Sequence, residues 1–397
     1  MNTTRTTAYR PAATPFHPAI WLLSFSLFAM GSAEFLMGGI LPMIAANLHI
    51  TLPQAGTLIA AFSTGALIGA PPFAILAMRW SKRQALFVSQ VAFIVATVLS
   101  ILVPGYGAVL IARFVMGIAY ACFWSVAAAM AVALAPPERR GKALSIVVSG
   151  LTAAMVLGGP AGTVISGYAG WQAGFWAVVV VTSLAAVMGR VCLPQSISDD
   201  SSAPDLRTEL RVMRRSSLWA AWAMTALTTA AYMGTFGYLA ALLLEVTGLS
   251  VSVLPAMLTL FGVGAFVGLT VGGRTADQHL KGTLVAGTVG MLVISVAIAL
   301  LSSYLWMMVV LVFLLGVCGF LVNPAVWAHV YAVAPDAPML AGATNSSAFQ
   351  AGLTLAPLLA GVPLSVGYGV MSVGWVGAAL SLVALGMVVI NPQLKRS

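Results

Sequence analysis

Between residues 18 and 391 the chain alternates long apolar runs with short breaks of proline, glycine or charge, and the runs number twelve. They predict helices at 18–42, 54–77, 85–103, 108–134, 143–167, 173–194, 218–244, 252–273, 282–303, 305–333, 340–362 and 368–391. At about 1.5 Å per residue, each run approaches or exceeds a hydrocarbon layer of about 30 Å. The expected fold class is therefore an all-α membrane protein of twelve transmembrane helices.

Composition sharpens this picture. Hydrophobic residues make up 60% of the chain, charged residues only 7%, and mean hydropathy is +1.02; soluble domains carry about 25% charged residues. A net charge of +9 would point to nucleic acid in a soluble protein. Here it belongs to the connecting segments, so no nucleic-acid partner is expected and the lipid bilayer takes its place. Cys122, Cys192 and Cys318 all lie in apolar segments without metal-ligand spacing, which argues against disulfides and a metal site. The first sixteen residues are largely polar, and no small-residue cleavage site follows the first apolar run, which is read as a retained helix.

Charge also orients the chain. With both termini cytoplasmic, the inside segments hold Arg5, Arg10, Arg79, Lys82, Arg83, Arg139, Arg140, Lys142, Arg207, Arg211, Arg214, Arg215, Arg274, Lys281, Lys395 and Arg396, sixteen of the eighteen Lys and Arg residues. The other two, Arg113 and Arg190, fall within helices. The expected setting is the cytoplasmic (inner) membrane of a bacterium, crossed many times by a monomer.

The longest polar stretch lies near the middle and divides the chain into 1–194, a linker 195–217, and 218–397. The linker's Ser/Asp-rich start reads as a flexible tether, and DLRTELRVMRR as a short amphipathic surface helix. At an offset of 199, Gly117 falls on Gly316, Ala135-Pro136 on Ala334-Pro335, and the segment starting at Ala74 on that starting at Gly273. Two pseudo-symmetric six-helix halves follow, with a substrate site between them near the midplane and rocking of the halves as the transport motion.

One residue dominates the candidate chemistry. Past His17 the first apolar stretch holds a single ionisable side chain, Glu34. An ionised carboxylate at that depth costs about 2.5–3.5 kcal/mol on insertion scales, so it is used or paired. Apolar surroundings favour the neutral acid and a nearby cation favours the carboxylate, so Glu34 is read as the group that carries the coupled proton. Arg113 lies roughly 8 Å, and Glu34 roughly 12 Å, below the outer ends of their helices, depths at which the two can meet. The alternative is an Arg113 that snorkels outward and a Glu34 that only helps two helices pack. Arg190 is read as an interfacial anchor, and His329 as a polar residue satisfied by a neighbour or a secondary proton relay.

These residues resemble the major facilitator superfamily, and within it the twelve-helix drug:proton antiporters. The loop after helix 2, AILAMRWSKR, is similar to the family's G-x-L-A-D-R-x-G-R-R, with Leu76, Ala77, Arg79 and Arg83 matching and Lys82 keeping the charge. Ala74, Met78 and Ser81 replace the first glycine, the aspartate and the second glycine. Its counterpart after helix 8 offers Gly273, Arg274 and Asp277, and the resemblance implies a cytoplasmic gate latch in both loops; orientation by positive charge is the plainer role for Arg79, Lys82 and Arg83. Arg113 with Gly117 resembles the R-x-x-x-G element of helix 4. Gly159, Pro160 and Gly162 resemble part of the antiporter signature, with Met155 replacing its leading glycine and Gly162 one place early, which tilts the direction toward export.

Over nearly the whole chain, stretches such as GSAEFLMGGILPMIA and GKALSIVVSGLTAAMVLGGPAG look like the bacterial chloramphenicol exporters, while FWSVAAAMAVALAP also resembles sugar efflux transporters. The resemblance implies proton-coupled export of an amphiphilic small molecule by alternating access, with chloramphenicol the best single substrate and sugars or nucleosides the alternative. The proton gradient replaces any cofactor. Candidate substrate-binding residues are Phe35, Met37, Phe123, Trp124, Tyr232, Phe236, Tyr238 and Asn323, with core packing the competing role for each. An intramembrane enzyme is disfavoured, since no clustered nucleophile, carboxylate pair or His-rich set occurs.

Overall fold

A computed structural model describes residues 16–77, 81–103, 105–136, 139–194, 215–335 and 338–391. Met78, Arg79, the linker from 195 to 214, and the terminal cations Arg5, Arg10, Lys395 and Arg396 lie outside them. The described chain folds as α1 (Pro18–Asn47), α2 (Leu52–Ala77), α3 (Lys82–Leu102), α4 (Tyr106–Ala133), α5 (Arg140–Ala169), α6 (Trp171–Cys192), α7 (Ser216–Glu245), α8 (Leu254–Gln278), α9 (Leu280–Leu301), α10 (Leu305–Val333), α11 (Pro338–Ser365) and α12 (Ser372–Ile390). Among the described residues 12 helices are long and apolar enough to cross a membrane, and the protein is an all-helical, multi-pass membrane protein.

Local chemistry sets many of the helix ends. Pro18 opens α1 where its missing N–H costs nothing, and His17 Nδ1 accepts from the Ala19 N–H at 3.2 Å. Thr51 and Gln54 cap α2 reciprocally, with Thr51 N–H donating to Gln54 Oε1 at 2.9 Å and Gln54 N–H to Thr51 Oγ1 at 3.3 Å. Gly170, at φ +85°, turns the chain from α5 into α6 in one residue.

Two helices depart from the expected simple spans. In α5 the Gly159 N–H donates to the carbonyl of Ala154 five residues back, a π turn directly before Pro160. Pro160 cannot donate to Val156 and its ring crowds that carbonyl, so the wider turn absorbs the conflict. The second break is in α7, which interrupts at Tyr238 between Ser216–Gly237 and Leu239–Glu245.

The helix contacts of the first six spans recur in the last six. α2 packs on α4 as α8 does on α10, α1 on α5 as α7 on α11, and α3 on α6 as α9 on α12. The register is visible atom by atom. A Cβ on Gly117 would collide with the carbonyl of Phe62, and one on Gly316 with the carbonyl of Phe261; Gly65 faces Phe114 as Gly264 faces Phe313. Every one of these pairs is offset by 199 residues, so the sequence repeat is a repeat of backbone-to-backbone contacts.

The even number of described spans puts the start of α1 and the end of α12 on one side of the bundle, called here the terminal end. Lys82, Arg83, Arg139, Arg140, Lys142, Arg190, Arg215, Arg274 and Lys281 all lie at that end, and Glu245 lies at the far end. Exposed aromatics ring both ends: Trp21 and Trp219 at the terminal end, and Tyr168, Trp306, Tyr368 and Trp375 at the far end. Such belts suit the two interfaces of a bilayer.

The two sets of six helices are joined toward the far end. There Gly38 and Phe35 of α1 meet Phe236 of α7, and Gly39 admits Leu258 of α8. Tyr238 is wholly buried, with its hydroxyl against Gly56 of α2 and donating to the Pro357 carbonyl of α11 at 3.0 Å. Toward the terminal end α5 and α8 diverge and leave a groove of about 590 Å³.

Candidate transport site

Glu34 sits midway along α1 between Ala33 and Phe35, which are buried at 0% and 8% exposure, yet it keeps partial exposure itself. The acid thus faces space inside the bundle. Arg113 of α4 is buried at 1% exposure, which removes the snorkelling alternative. Its Nη1 donates to the Ala33 carbonyl at 3.1 Å and its Nε to the Leu58 carbonyl of α2 at 3.2 Å, while Nη2 has no partner. The guanidinium also lies over the Phe62 ring, 4.6 Å from its centroid.

Arg113 therefore directs its hydrogen bonds to backbone carbonyls rather than to the Glu34 carboxyl. The Ala33 carbonyl it holds belongs to the residue next to Glu34. The arginine holds α1 and α2 through main-chain oxygens and keeps one donor unspent.

Across from Glu34, α7 and α10 present a polar pair. Asn323 Nδ2 donates to the Tyr232 hydroxyl at 3.2 Å, and both residues are buried. A file of rings runs beside it across the two sets of helices. Phe35 meets Phe236 edge-on at 6.5 Å, Phe236 stacks on Phe261 at 4.3 Å, and Phe320 contacts both Phe261 and Tyr232, at 6.3 and 5.2 Å. Phe35 and Met155, from the first six spans, belong to the hydrophobic core of the last six.

The internal repeat makes the site one-sided. The positions 199 residues beyond Glu34 and Arg113 are Met233 and Val312, both buried and apolar, so the acid and the arginine have no counterpart. Tyr120 of α4 maps onto Gly319, and the ring of Tyr232 lies in the space that a side chain there would need. The site consequently sets the charged residues of α1 and α4 beside the aromatic and amide residues of α7, α8 and α10.

The eight expected substrate contacts divide. Phe35, Tyr232, Phe236 and Asn323 come together as described. Trp124 is half-buried against the core of the first six spans. Met37 and Phe123 lie inside that core at 0% and 1% exposure, where packing accounts for them. Tyr238 is part of the far-end seal. Tyr120, Phe261 and Phe320 were not anticipated; Tyr120 stands seven residues, two turns, beyond Arg113 on the same face, and its ring packs on Phe62 at 5.5 Å.

The family model of the Major Facilitator Superfamily matches residues 23–258. The chain belongs to the major facilitator superfamily. It is a transporter and not an enzyme. It is 33% identical over 368 residues to the chloramphenicol resistance protein of Streptomyces lividans, covering 92% of this chain and 94% of that one. It is 29% identical to the inner membrane transport protein YdhP of Escherichia coli, over 94% of this chain and 95% of that one. In fold it is similar to the nucleoside transporter NupG, with a TM-score of 0.76 at 12% identity over 94% of this chain and 98% of that one, and to an inward-facing, occupied bacterial homolog of the human lysosomal transporter Spinster, with a TM-score of 0.70 at 15% identity over 97% and 96%.

Arg83 donates through Nη2 to the Arg190 carbonyl, tying α3 to α6 within the first six spans, and Lys82 opens α3. Gly273 is uncrowded, and Arg274 and Asp277 are exposed near the end of α8. The antiporter-motif residues Gly159 and Gly162 let α5 approach α1, where added Cβ atoms would meet Phe35 and Leu36 at 2.9 and 2.8 Å. Together with Pro160 and the π turn they shape the helix that flanks the groove. His329 is buried, with Nε2 at 3.2 Å from Asn391 Nδ2, and lies away from Glu34 near the terminal end.

Proposed function

We propose that this transporter exports amphiphilic, uncharged small molecules from the cytoplasm in exchange for protons, with chloramphenicol the foremost substrate. The terminal end is the cytoplasmic side of a bacterial inner membrane, residues 1–194 and 218–397 form the moving halves, and the protein works as a monomer. The observation that carries the reading is the placement of Glu34: one partly accessible acid beside Arg113, facing an aromatic and amide wall on the opposite helices.

The proposed cycle uses Arg113 as the switch. With Glu34 protonated, Arg113 holds the carbonyls of Ala33 and Leu58 and the bundle is closed at the far end. When Glu34 loses its proton, the carboxylate draws the unspent Nη2 donor and loosens the hold on α1 and α2, which favours the opposite opening. A neutral ligand with hydroxyl, amide or nitro groups suits a wall made of Tyr232, Asn323, Phe236 and Phe35, which supplies ring surface and one amide rather than a countercharge. Likeness to the Streptomyces lividans protein supports chloramphenicol as the first ligand to try.

Radiolabelled chloramphenicol uptake into everted vesicles tests the function. Uptake that depends on an imposed proton gradient and collapses with the uncoupler carbonyl cyanide m-chlorophenyl hydrazone is expected. Uptake indifferent to the uncoupler would contradict it.

A further inference from the structure

The groove between α5 and α8 is separate from the site around Glu34. Its walls come from these two helices alone, with Leu144, Val148 and Leu157 on one side and Val263, Phe266 and Leu269 on the other. Leu157, Val263 and Phe266 are 60%, 40% and 56% exposed, so the groove opens sideways, where a membrane-spanning protein meets lipid tails. Ser145 and Ser149, which also line it, spend their hydroxyls on the carbonyls of Gly141 and Ile146. Apart from Thr152 the rest of the wall is apolar, and its volume of about 590 Å³ is that of a ligand site.

The mouth narrows the choice of occupant. Gly141 belongs to the wall at the terminal end, and its neighbours Arg140 and Lys142 are exposed. On the facing helix Arg274 is exposed five residues, about 7.5 Å, beyond Leu269. Lys281 opens the next helix, and Asp277 is the acid among the described residues of this region. Arg139 is engaged elsewhere, stacked 4.2 Å from the centroid of the Phe16 ring.

An apolar slot at hydrocarbon depth, capped by cations at the interface, complements one class of molecule. We propose that the groove binds an anionic phospholipid, one acyl chain between α5 and α8 and the phosphate on Arg140 and Lys142 with Arg274 opposite. The lipid is a resident ligand and not the cargo. Because the groove closes if α5 and α8 approach, the bound lipid holds them apart at this end and favours the state seen here.

Native mass spectrometry of the purified full-length protein, titrated with dioleoyl-phosphatidylglycerol or dioleoyl-phosphatidylcholine, tests this. Retention of one phosphatidylglycerol with roughly tenfold preference over phosphatidylcholine is expected, and Arg140→Gln with Lys142→Gln should erase that preference. Leu144→Trp, which fills the slot, should weaken both lipids alike. Equal retention of the two lipids by wild type would overturn the proposal, as would a preference unchanged in the double variant. Stoichiometric displacement of phosphatidylglycerol by chloramphenicol would also overturn it, making the groove a passage for cargo.

Discussion

Arg113 donates to the carbonyl of Ala33, the residue just before Glu34, at 3.1 Å. The cation is therefore anchored to the backbone that carries the acid and not to the acid itself. With a second bond to Leu58 of α2, the same side chain ties two helices together beside the acid.

Replacing Arg113 separates its structural and electrostatic roles. Arg113→Ala removes two charge-assisted bonds to the Ala33 and Leu58 carbonyls, which keep their helical N–H partners; at about 1.5–3 kcal/mol for each bond lost, it should lower the unfolding temperature in detergent. Arg113→Lys keeps the charge but loses the forked geometry, so it should regain part of the stability while transport stays impaired. Equal melting temperatures for wild type and Arg113→Ala would contradict the carbonyl anchoring.

The repeat predicts paired sensitivity to small residues. Gly117→Ala and Gly316→Ala each force a Cβ against a backbone carbonyl and should each cost about 1–3 kcal/mol or more. Gly107→Ala and Gly386→Ala meet nothing within 4 Å and should be neutral or slightly stabilising. Thermal unfolding of the four variants checks this, and a tolerant Gly316→Ala beside a damaging Gly117→Ala would break the claimed equivalence.

Much of this was legible in the chain, because membrane helices announce themselves by apolar length. The offset linking Gly117 to Gly316 could be read directly, but not that each glycine faces the carbonyls of Phe62 and Phe261. The comparable depths of Glu34 and Arg113 followed from counting residues. The choice of Ala33 and Leu58 as acceptors did not, because it depends on how α2 crosses α4. Met37 and Phe123 show what residue type alone leaves open: expected as ligand contacts with core packing as the competing role, they lie in the core of the first six spans. The break at Tyr238 follows Gly237, but a glycine inside a continuous apolar run does not by itself mark a helix end; Tyr238 inserts beside Gly56 and Pro357.

Removing the far-end seal should make the protein leak. Tyr238→Ala vacates the space beside Gly56 and Gly361 and removes the bond to the Pro357 carbonyl. Proteoliposomes holding the variant should pass protons without substrate, measured with an entrapped pH dye, whereas Tyr238→Phe keeps the ring and should stay near wild type. Leak from the Phe variant equal to that from the Ala variant would show that the ring is not the plug.

The polar pair on α7 and α10 should tune affinity more than coupling. Tyr232→Phe removes the hydroxyl bonded to Asn323 and should weaken chloramphenicol binding by about threefold to tenfold. The number of protons exchanged per drug should not change. Binding measured by isothermal titration, paired with proton counting, separates these outcomes.

Glu34 as the proposed coupling acid can be tested by one direct measurement. Purified protein in weakly buffered detergent, mixed with chloramphenicol, should release protons in the wild type and release none with Glu34→Gln, while the Gln variant still binds the drug and exchanges it down its gradient. Proton release from Glu34→Gln at the wild-type level would place the coupled proton on another group and contradict the central claim.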